Sequence, residues 1–352
     1  MVDISKTDKN FKIETKIKKE DIVFYNSLDK PFEINGVFYE DGRFRRIPES
    51  VAKTVNEGVH NLHANTAGGR IRFKTNSSYV AINVKLDKIW QRSFFAGTGI
   101  TGFDLYVRED NKERYFRTFI PPIDMTDGYE SVLDFGTEEY REITINFPLY
   151  CDVCSLHIGV SSKSQVLAPR EYSNKKKIVY YGSSITQGGC ASRPGTSYES
   201  IISRALDCDY INLGFAGNAK AEKEIAEYIA KLPMDVFVYD YDHNAPNVEF
   251  LKETHRPMFD IIREKNPDLP IVLVTRPNMA PNREQAYQRE QVILNTYNYA
   301  IEKGDKNVYF VSGKDMFNKF DGESMLVDGV HPNDLGFYSM AEVFIPVLAK
   351  LI

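Results

Sequence analysis

The chain changes rhythm near its middle. From about residue 20 to 165, apolar and polar residues alternate in short runs. Arg70-Ile71-Arg72-Phe73, Tyr79-Val80-Ala81-Ile82-Asn83-Val84-Lys85-Leu86, Phe103-Asp104-Leu105-Tyr106-Val107-Arg108 and Ile143-Thr144-Ile145-Asn146-Phe147 are the clearest. A two-residue period sends successive side chains to opposite faces, so these runs predict half-buried strands. Gly68-Gly69, Thr75-Asn76-Ser77-Ser78 and Pro121-Pro122 break them with turn chemistry. No long helical period intervenes. The first half therefore predicts an all-β sandwich of jelly-roll type.

After about residue 175 the pattern becomes strand, loop, helix. Short apolar strands are expected at 178–181, 210–213, 236–240, 271–275 and 308–311. Helices are expected at 196–206, 221–231, 248–265 and 283–303, with a last one from about 333 to 352. Ala221, Ile225, Ala226 and Ile229 have the spacing of one helix face. Alternating βα units predict an α/β domain: a parallel sheet with helices on both faces. Such sheets bind ligands beyond the carboxyl ends of their strands. The junction falls within 164–174, around Ala168-Pro169-Arg170, which divides the chain into domains 1–168 and 169–352. A length of 352 residues suits two domains. There is no internal repeat and no low-complexity segment.

Composition narrows the function classes. A hydrophobic share of 42% with 26% charged residues is that of a soluble globular protein. A net charge of −5 argues against a nucleic-acid partner, which calls for a basic face. Lys175-Lys176-Lys177 reads as a solvated strand entry. Met1-Val2-Asp3-Ile4-Ser5-Lys6 is polar, so neither a signal peptide nor a membrane segment is expected there. Four cysteines are too few for a disulfide framework and fit a cytoplasmic protein. Cys151 and Cys154 form a lone CxxC that reads as buried small residues. His60 and His63 lack an obvious carboxylate partner in the sequence, and no metal is expected.

The candidate chemistry lies in the late loops. Gly182-Ser183-Ser184-Ile185-Thr186 follows the first parallel strand, where a serine is held out of the core. Asp328-Gly329-Val330-His331 precedes the last helix. His331 could take the Ser184 proton, and Asp328 could orient the imidazole. A serine after a strand can also be a plain turn residue, and His331 could merely cap the helix. Acyl transfer further needs donors for the oxyanion. Backbone N–H groups of Ser184 and Gly217, with the Asn244 side chain, would supply three; Asn278 is the fallback amide. His243 and Trp90 are candidate substrate contacts, each with a plain alternative as a pocket wall or a partly buried aromatic. Asp104 is a further candidate contact.

Taken in order, these blocks resemble the SGNH (GDSL-type) hydrolase superfamily. The resemblance implies Ser184 as nucleophile, Gly217 and Asn244 as oxyanion donors, and Asp328 and His331 as acid and base. It implies a flavodoxin-like SGNH hydrolase domain. Gly102-Phe103-Asp104-Leu105-Tyr106 is similar to the GxDLY motif of the β-domain that precedes some members. The whole chain thus resembles the two-domain bacterial GDSL-like esterases. Two positions depart from the pattern: Ser183 replaces the usual aspartate, and the third block reads Asp242-His243-Asn244-Ala245.

The expected function is a serine esterase acting through an acyl-enzyme without a cofactor. The expected partner is a small acylated substrate, with acetylated oligosaccharides favoured and no nucleic acid or membrane involved. Three features lean that way: no apolar lid, 21 tyrosines suited to flat polar ligands, and an all-β accessory domain. An acyltransferase or thioesterase, and a glycan-binding module with a vestigial triad, are the competing readings. The loop Phe95-Ala96-Gly97-Thr98-Gly99-Ile100-Thr101-Gly102 is expected to lean over Ser184 and select substrates.

Overall fold

The computed structural model describes residues 13–277, 283–318 and 322–352. The polar N-terminal stretch Met1–Lys6 and the fallback amide Asn278 lie outside them. Two antiparallel sheets come from the first half. One runs Ile22–Asn26, Asp152–Ser161, Tyr79–Asp87, Gly128–Asp134. The other runs Val166–Leu167, Arg70–Thr75, Arg141–Asn146, Phe103–Glu109, Lys112–Phe119, with Glu33–Asn35 also paired to Arg70–Thr75. Alternation does what it predicts here. Ile71 and Phe73 from one sheet meet Val80, Ile82 and Val84 from the other in a shared apolar layer.

The second half forms a five-stranded parallel sheet in the order Cys208–Gly214, Asn174–Gly182, Val236–Asp240, Ile271–Val274, Val308–Val311. In sequence order this is 2-1-3-4-5, the flavodoxin-like arrangement. Asn174–Gly182 is flanked on both sides by parallel partners, with Tyr181 opposite Leu213 and Tyr239. Its side chains must therefore be apolar or bulky on both faces. Ile178 and Tyr180 join the core under Tyr198–Leu206 and Asp334–Leu348; Val179 and Tyr181 join the core under Lys223–Ile229, Val248–Lys265 and Arg283–Glu302.

The two halves share these cores. Two short helices in the first half, Glu49–Val55 and Glu57–Leu62, were not foreseen. They are too short to show a helical period. Asn56 caps the second, its side-chain oxygen accepting from the Val59 N–H at 2.8 Å. Ile47, Ala52, Val59 and Leu62 are buried in the same cluster as Leu213, Phe215 and Tyr239 of the parallel sheet. Ala67, Ile100, Leu149 and Tyr150 likewise enter the cluster on the other face.

Polar contacts fix the same seam. Arg46 is buried, and its guanidinium donates to the carbonyls of Asn65 (2.7 Å), Leu62 (2.8 Å), Asn212 (3.4 Å) and Gly214. It also lies 4.7 Å over the Phe215 ring. Burial pulls its ionisation down to about 9, which leaves it charged at neutral pH. Arg70 reaches across to Asp209, and Arg108 pairs with Asp207 at 2.6 Å.

The shared core predicts shared stability. Ile47→Ala should destabilise the chain by about 2–5 kcal/mol, the usual loss for a buried isoleucine. Denaturant curves followed by far-UV circular dichroism and by fluorescence should shift together. A shift in one signal alone would mean that the halves unfold independently.

Candidate active site

Gly182 ends the first parallel strand, and only glycine fits there. A Cβ would stand 2.1 Å from Thr186 Oγ1 and 2.2 Å from the Asp240 carbonyl. The turn that follows is tied by the Ser183 hydroxyl, which accepts the Ile185 N–H at 3.1 Å, and by the Ser183 carbonyl, which accepts the Gln187 N–H at 3.0 Å. The hydroxyl at the departing position 183 thus serves the turn. Ser184 is left facing outward. Its Oγ lies 2.9 Å from His331 Nε2.

His331 reaches Ser184 from a loop closed by its own backbone. Its carbonyl accepts the Val327 N–H at 2.9 Å, and Asn333 then caps the last helix through the Gly336 N–H at 3.1 Å. Asp328 Oδ2 lies 2.8 Å from His331 Nδ1. Asp328 Oδ1 accepts the N–H groups of Val330 and His331 at 3.0 and 2.8 Å. Partial burial works against the Asp328 charge, but these donors and the imidazole outweigh it and hold its carboxyl below the ordinary value. The carboxylate fixes the proton on Nδ1, so Nε2 is free to accept from Ser184.

The loop after the second strand is clamped group by group. The Gly214 N–H donates to Asn212 Oδ1 (2.9 Å), Phe215 to the Gly182 carbonyl (2.9 Å), Ala216 to Gln187 Oε1 (3.0 Å), and Asn218 to the Phe215 carbonyl (2.8 Å). Asn56 Nδ2 donates to the Asn218 carbonyl at 3.1 Å. Gly217, at φ +72°, has an N–H with no partner among the described residues. The N–H of Ser184 is equally free. Asn244 Nδ2 donates one hydrogen to the Phe215 carbonyl at 2.8 Å and keeps a second. Its loop is held by Arg289, which donates to the Asp242 and Ala245 carbonyls at 2.8 and 2.7 Å and pairs with the Asp242 carboxylate at 3.0 Å. Ser184, Gly217, Asn244 and His331 all line one cleft of about 720 Å³.

With this geometry in place, comparison with known proteins is direct. Residues 175–349 match the GDSL-like lipase/acylhydrolase family, and residues 22–166 match GxDLY, the N-terminal domain of SGNH-hydrolase-type esterases. A crystal structure described as a GDSL-like lipase, from Bacteroides ovatus, is 32% identical, covers 94% of this chain and 98% of its own, and superposes with a TM-score of 0.84. The chain belongs to the GDSL-like lipase/acylhydrolase family. Two more distant structures share the fold. One is the salicylyl-acyltransferase SsfX3 of a tetracycline biosynthetic pathway (19% identity, 95% and 98% coverage, TM-score 0.77). The other is a family two carbohydrate esterase from Clostridium thermocellum in complex with cellohexaose (15% identity, 91% and 98% coverage, TM-score 0.63). No curated protein sequence gives a significant match.

The first half builds one wall of the cleft of this family member. Phe94 and Phe95 lie 5.6 and 5.9 Å from the His331 ring, and Tyr150 donates its hydroxyl hydrogen to the Ser184 carbonyl at 3.1 Å. Of the loop expected to lean over Ser184, Phe95 does so. Its glycines serve another purpose: Gly97–Ile100 is a helical turn, and a Cβ on Gly99 would stand 2.4 Å from the Ala191 carbonyl. Trp90 and His243 line the cleft, as expected of substrate contacts. Asp104 does not. It is fully buried, accepts from Asn146 Nδ2 and the Gly195 N–H at 2.8 Å each, and lies 3.4 Å from Arg193. A carboxylate in a GxDLY strand looks exposed in sequence, but here it joins the halves.

Other readings also shift. Many of the tyrosines are structural: Tyr180, Tyr181, Tyr198, Tyr210, Tyr239 and Tyr241 are fully buried. His60 does have a carboxylate neighbour, Glu49 at 3.3 Å, and its ring stacks on His63 at 5.5 Å. Sequence reasoning missed Phe94, Tyr150 and the Asn56 segment in the cleft, because their proximity to Ser184 depends on docking between the halves. The described residues contain no group of ligands suited to a metal, and no helix among them is long and apolar enough to cross a membrane.

Beneath the Ser184 turn, Asp240 is buried and accepts from Tyr198 and Thr186 at 3.1 and 3.3 Å. Burial raises its carboxyl to about 7 from an ordinary 3.8. A raised value means that folding favours the protonated acid. The stabilisation is complete below 3.8 and is lost as pH rises through about 7. The melting temperature of the wild type relative to Asp240→Asn should therefore fall across this interval, since the amide does not titrate. A difference independent of pH would show that Asp240 is not protonated in the fold.

Proposed function

We propose that this protein is a serine esterase that removes acyl groups from hydroxyl esters, with acetyl groups on sugars as the favoured substrate. The observation that carries the reading is the continuous Ser184–His331–Asp328 hydrogen-bond chain beside two unpartnered backbone N–H groups. Ser184 Oγ attacks the ester carbonyl while His331 Nε2 accepts its proton. The resulting oxyanion receives hydrogen bonds from the N–H groups of Ser184 and Gly217 and from Asn244 Nδ2. His331 then gives the proton to the departing alkoxide, leaving the acyl group on Ser184. Water, deprotonated by the same imidazole, releases the acid and restores the serine. Asp328 stabilises the imidazolium formed in each half. No step requires a cofactor.

The carbohydrate assignment is supported by the full-length likeness in fold to family two carbohydrate esterases. The amides of Asn61 and Asn218 in the cleft suit a hydroxyl-rich ligand. Unpaired cysteines are compatible with a reducing, cytoplasmic setting. A second reading, acyl transfer to an alcohol, is favoured by the aromatic wall of Phe94, Phe95 and Trp90 and by the likeness to the salicylyl-acyltransferase. Product analysis in the presence of an added alcohol separates the two, because transfer would yield a new ester in place of free acid.

Ser184→Ala should lower the turnover of a neutral aryl acetate by on the order of 10³-fold or more while leaving the melting temperature in place. Near wild-type turnover would assign the chemistry to another residue. Asn244→Ala should lower kcat by about 10²–10³-fold with little change in KM, since an oxyanion donor acts on the transition state. A rise in KM alone would make Asn244 a ground-state contact. Asp328→Asn should be less damaging than His331→Ala; the reverse order in steady-state kinetics would deny Asp328 a supporting role.

A further inference from the structure

Two ring N–H groups of cleft residues have no partner among the described residues. His243 Nδ1 lies 3.3 Å from an Arg276 guanidinium nitrogen, which can only donate. The imidazole must accept there, so its hydrogen sits on Nε2. Burial, reinforced by the charges of Arg276 and Arg289, holds this ring well below its ordinary ionisation, and it stays neutral. His243 Nε2 is buried without a partner, and so is Trp90 Nε1. Both residues line the cleft. A buried, unmatched N–H carries a desolvation penalty of about 1–3 kcal/mol. Both nitrogens are covered, although their rings line the cleft.

Two cations line the same cleft. Arg92 is exposed and lies 5.9 Å over the Trp90 ring; Lys220 is half-buried. Neither forms an ion pair with a carboxylate among the described residues. Glu222, which feels the Lys220 charge, is already engaged by Asn56 Nδ2 and the Lys220 N–H. Glu57 is the one carboxylate lining the cleft, and it is exposed. The chain as a whole carries a net charge of −5, so this local excess of positive charge runs against the average surface. Cations without an ion-pair partner lining a cleft form an anion-recognition surface.

We infer that the cleft selects esters of anionic sugars, with Arg92 and Lys220 receiving the negative group. A sugar carboxylate and a sugar phosphate share this chemistry. The inference rests on the esterase reading for its substrate but not for its test, because Trp90 is the only tryptophan of the chain and reports binding directly.

The experiment titrates the wild-type protein with methyl glucuronoside, glucose 6-phosphate and neutral methyl glucoside, following Trp90 fluorescence. Either or both anionic sugars should bind at least about tenfold more tightly than the neutral one, and added salt should weaken that preference. The response to carboxylate against phosphate identifies which anion the cleft prefers. Arg92→Met and Lys220→Met should each shrink the preference, while Arg92→Lys should recover part of it. Melting curves confirm that each variant is folded. Equal binding of anionic and neutral sugars, or a preference that survives in both methionine variants, overturns the inference. An inert aryl acetate would defeat the esterase reading while leaving these titrations decisive. If esters are turned over, kcat/KM for an acetylated methyl glucuronoside should exceed that for the matching glucoside.

Discussion

A buried guanidinium holds this molecule together at its most demanding place. Arg46 makes no direct ion pair among the described residues; it binds four backbone carbonyls instead. Two of these belong to the strand leading into the Gly217 loop, and two to the segment leaving the Asn56 helix. A buried cation with fewer acceptors would be expensive, whereas carbonyls are directional and leave the charge only partly offset. The backbone of both halves is thereby fixed at one point, a few residues from the groups that line the cleft. Loss of Arg46 would remove the donor that joins these carbonyls across the seam.

That constraint explains why one N–H in the Gly217 loop remains unclaimed. Backbone groups on either side are fixed by partners from three directions: Gly182 of the first strand, Gln187 of the Ser184 turn, and Asn56 of the N-terminal half. A donor without a partner would normally rotate toward one. Here the neighbours prevent it, so the group is aimed before a ligand arrives. This is the structural meaning of preorganisation, in which reorientation is completed during folding.

The sequence revealed what is local. Strand alternation, the βα rhythm and the order of the candidate blocks follow from short-range patterns, and the parallel strands lie where apolar runs placed them. Ser184, His331 and Asp328 were legible because each sits at a strand end or loop with a recognisable neighbour set. Function that depends on docking was not legible. Tyr150 and Phe94 reach Ser184 and His331 from far along the chain, and no spacing encodes that. Asp104 misled for the same reason: its partners Gly195 and Arg193 belong to the other half. The tyrosine count misled because a ring with one hydroxyl fits a sheet core as readily as a ligand surface.

The interlocked helices also bear on how the chain reaches its native state. Asn56 and Asn218, which touch in the finished protein, are separated by 162 positions. As the polypeptide leaves the ribosome, Ala52, Val59 and Leu62 emerge long before Leu213, Phe215 and Tyr239 exist to cover them. The sandwich strands can pair once the first half has been synthesised, since all their partners lie within it. The helical pair must wait as an apolar flap until the parallel sheet has formed, and its docking closes a very long loop. Maturation of the cleft is thus a late event in folding, and nascent chains remain exposed to aggregation through this flap until synthesis is nearly complete.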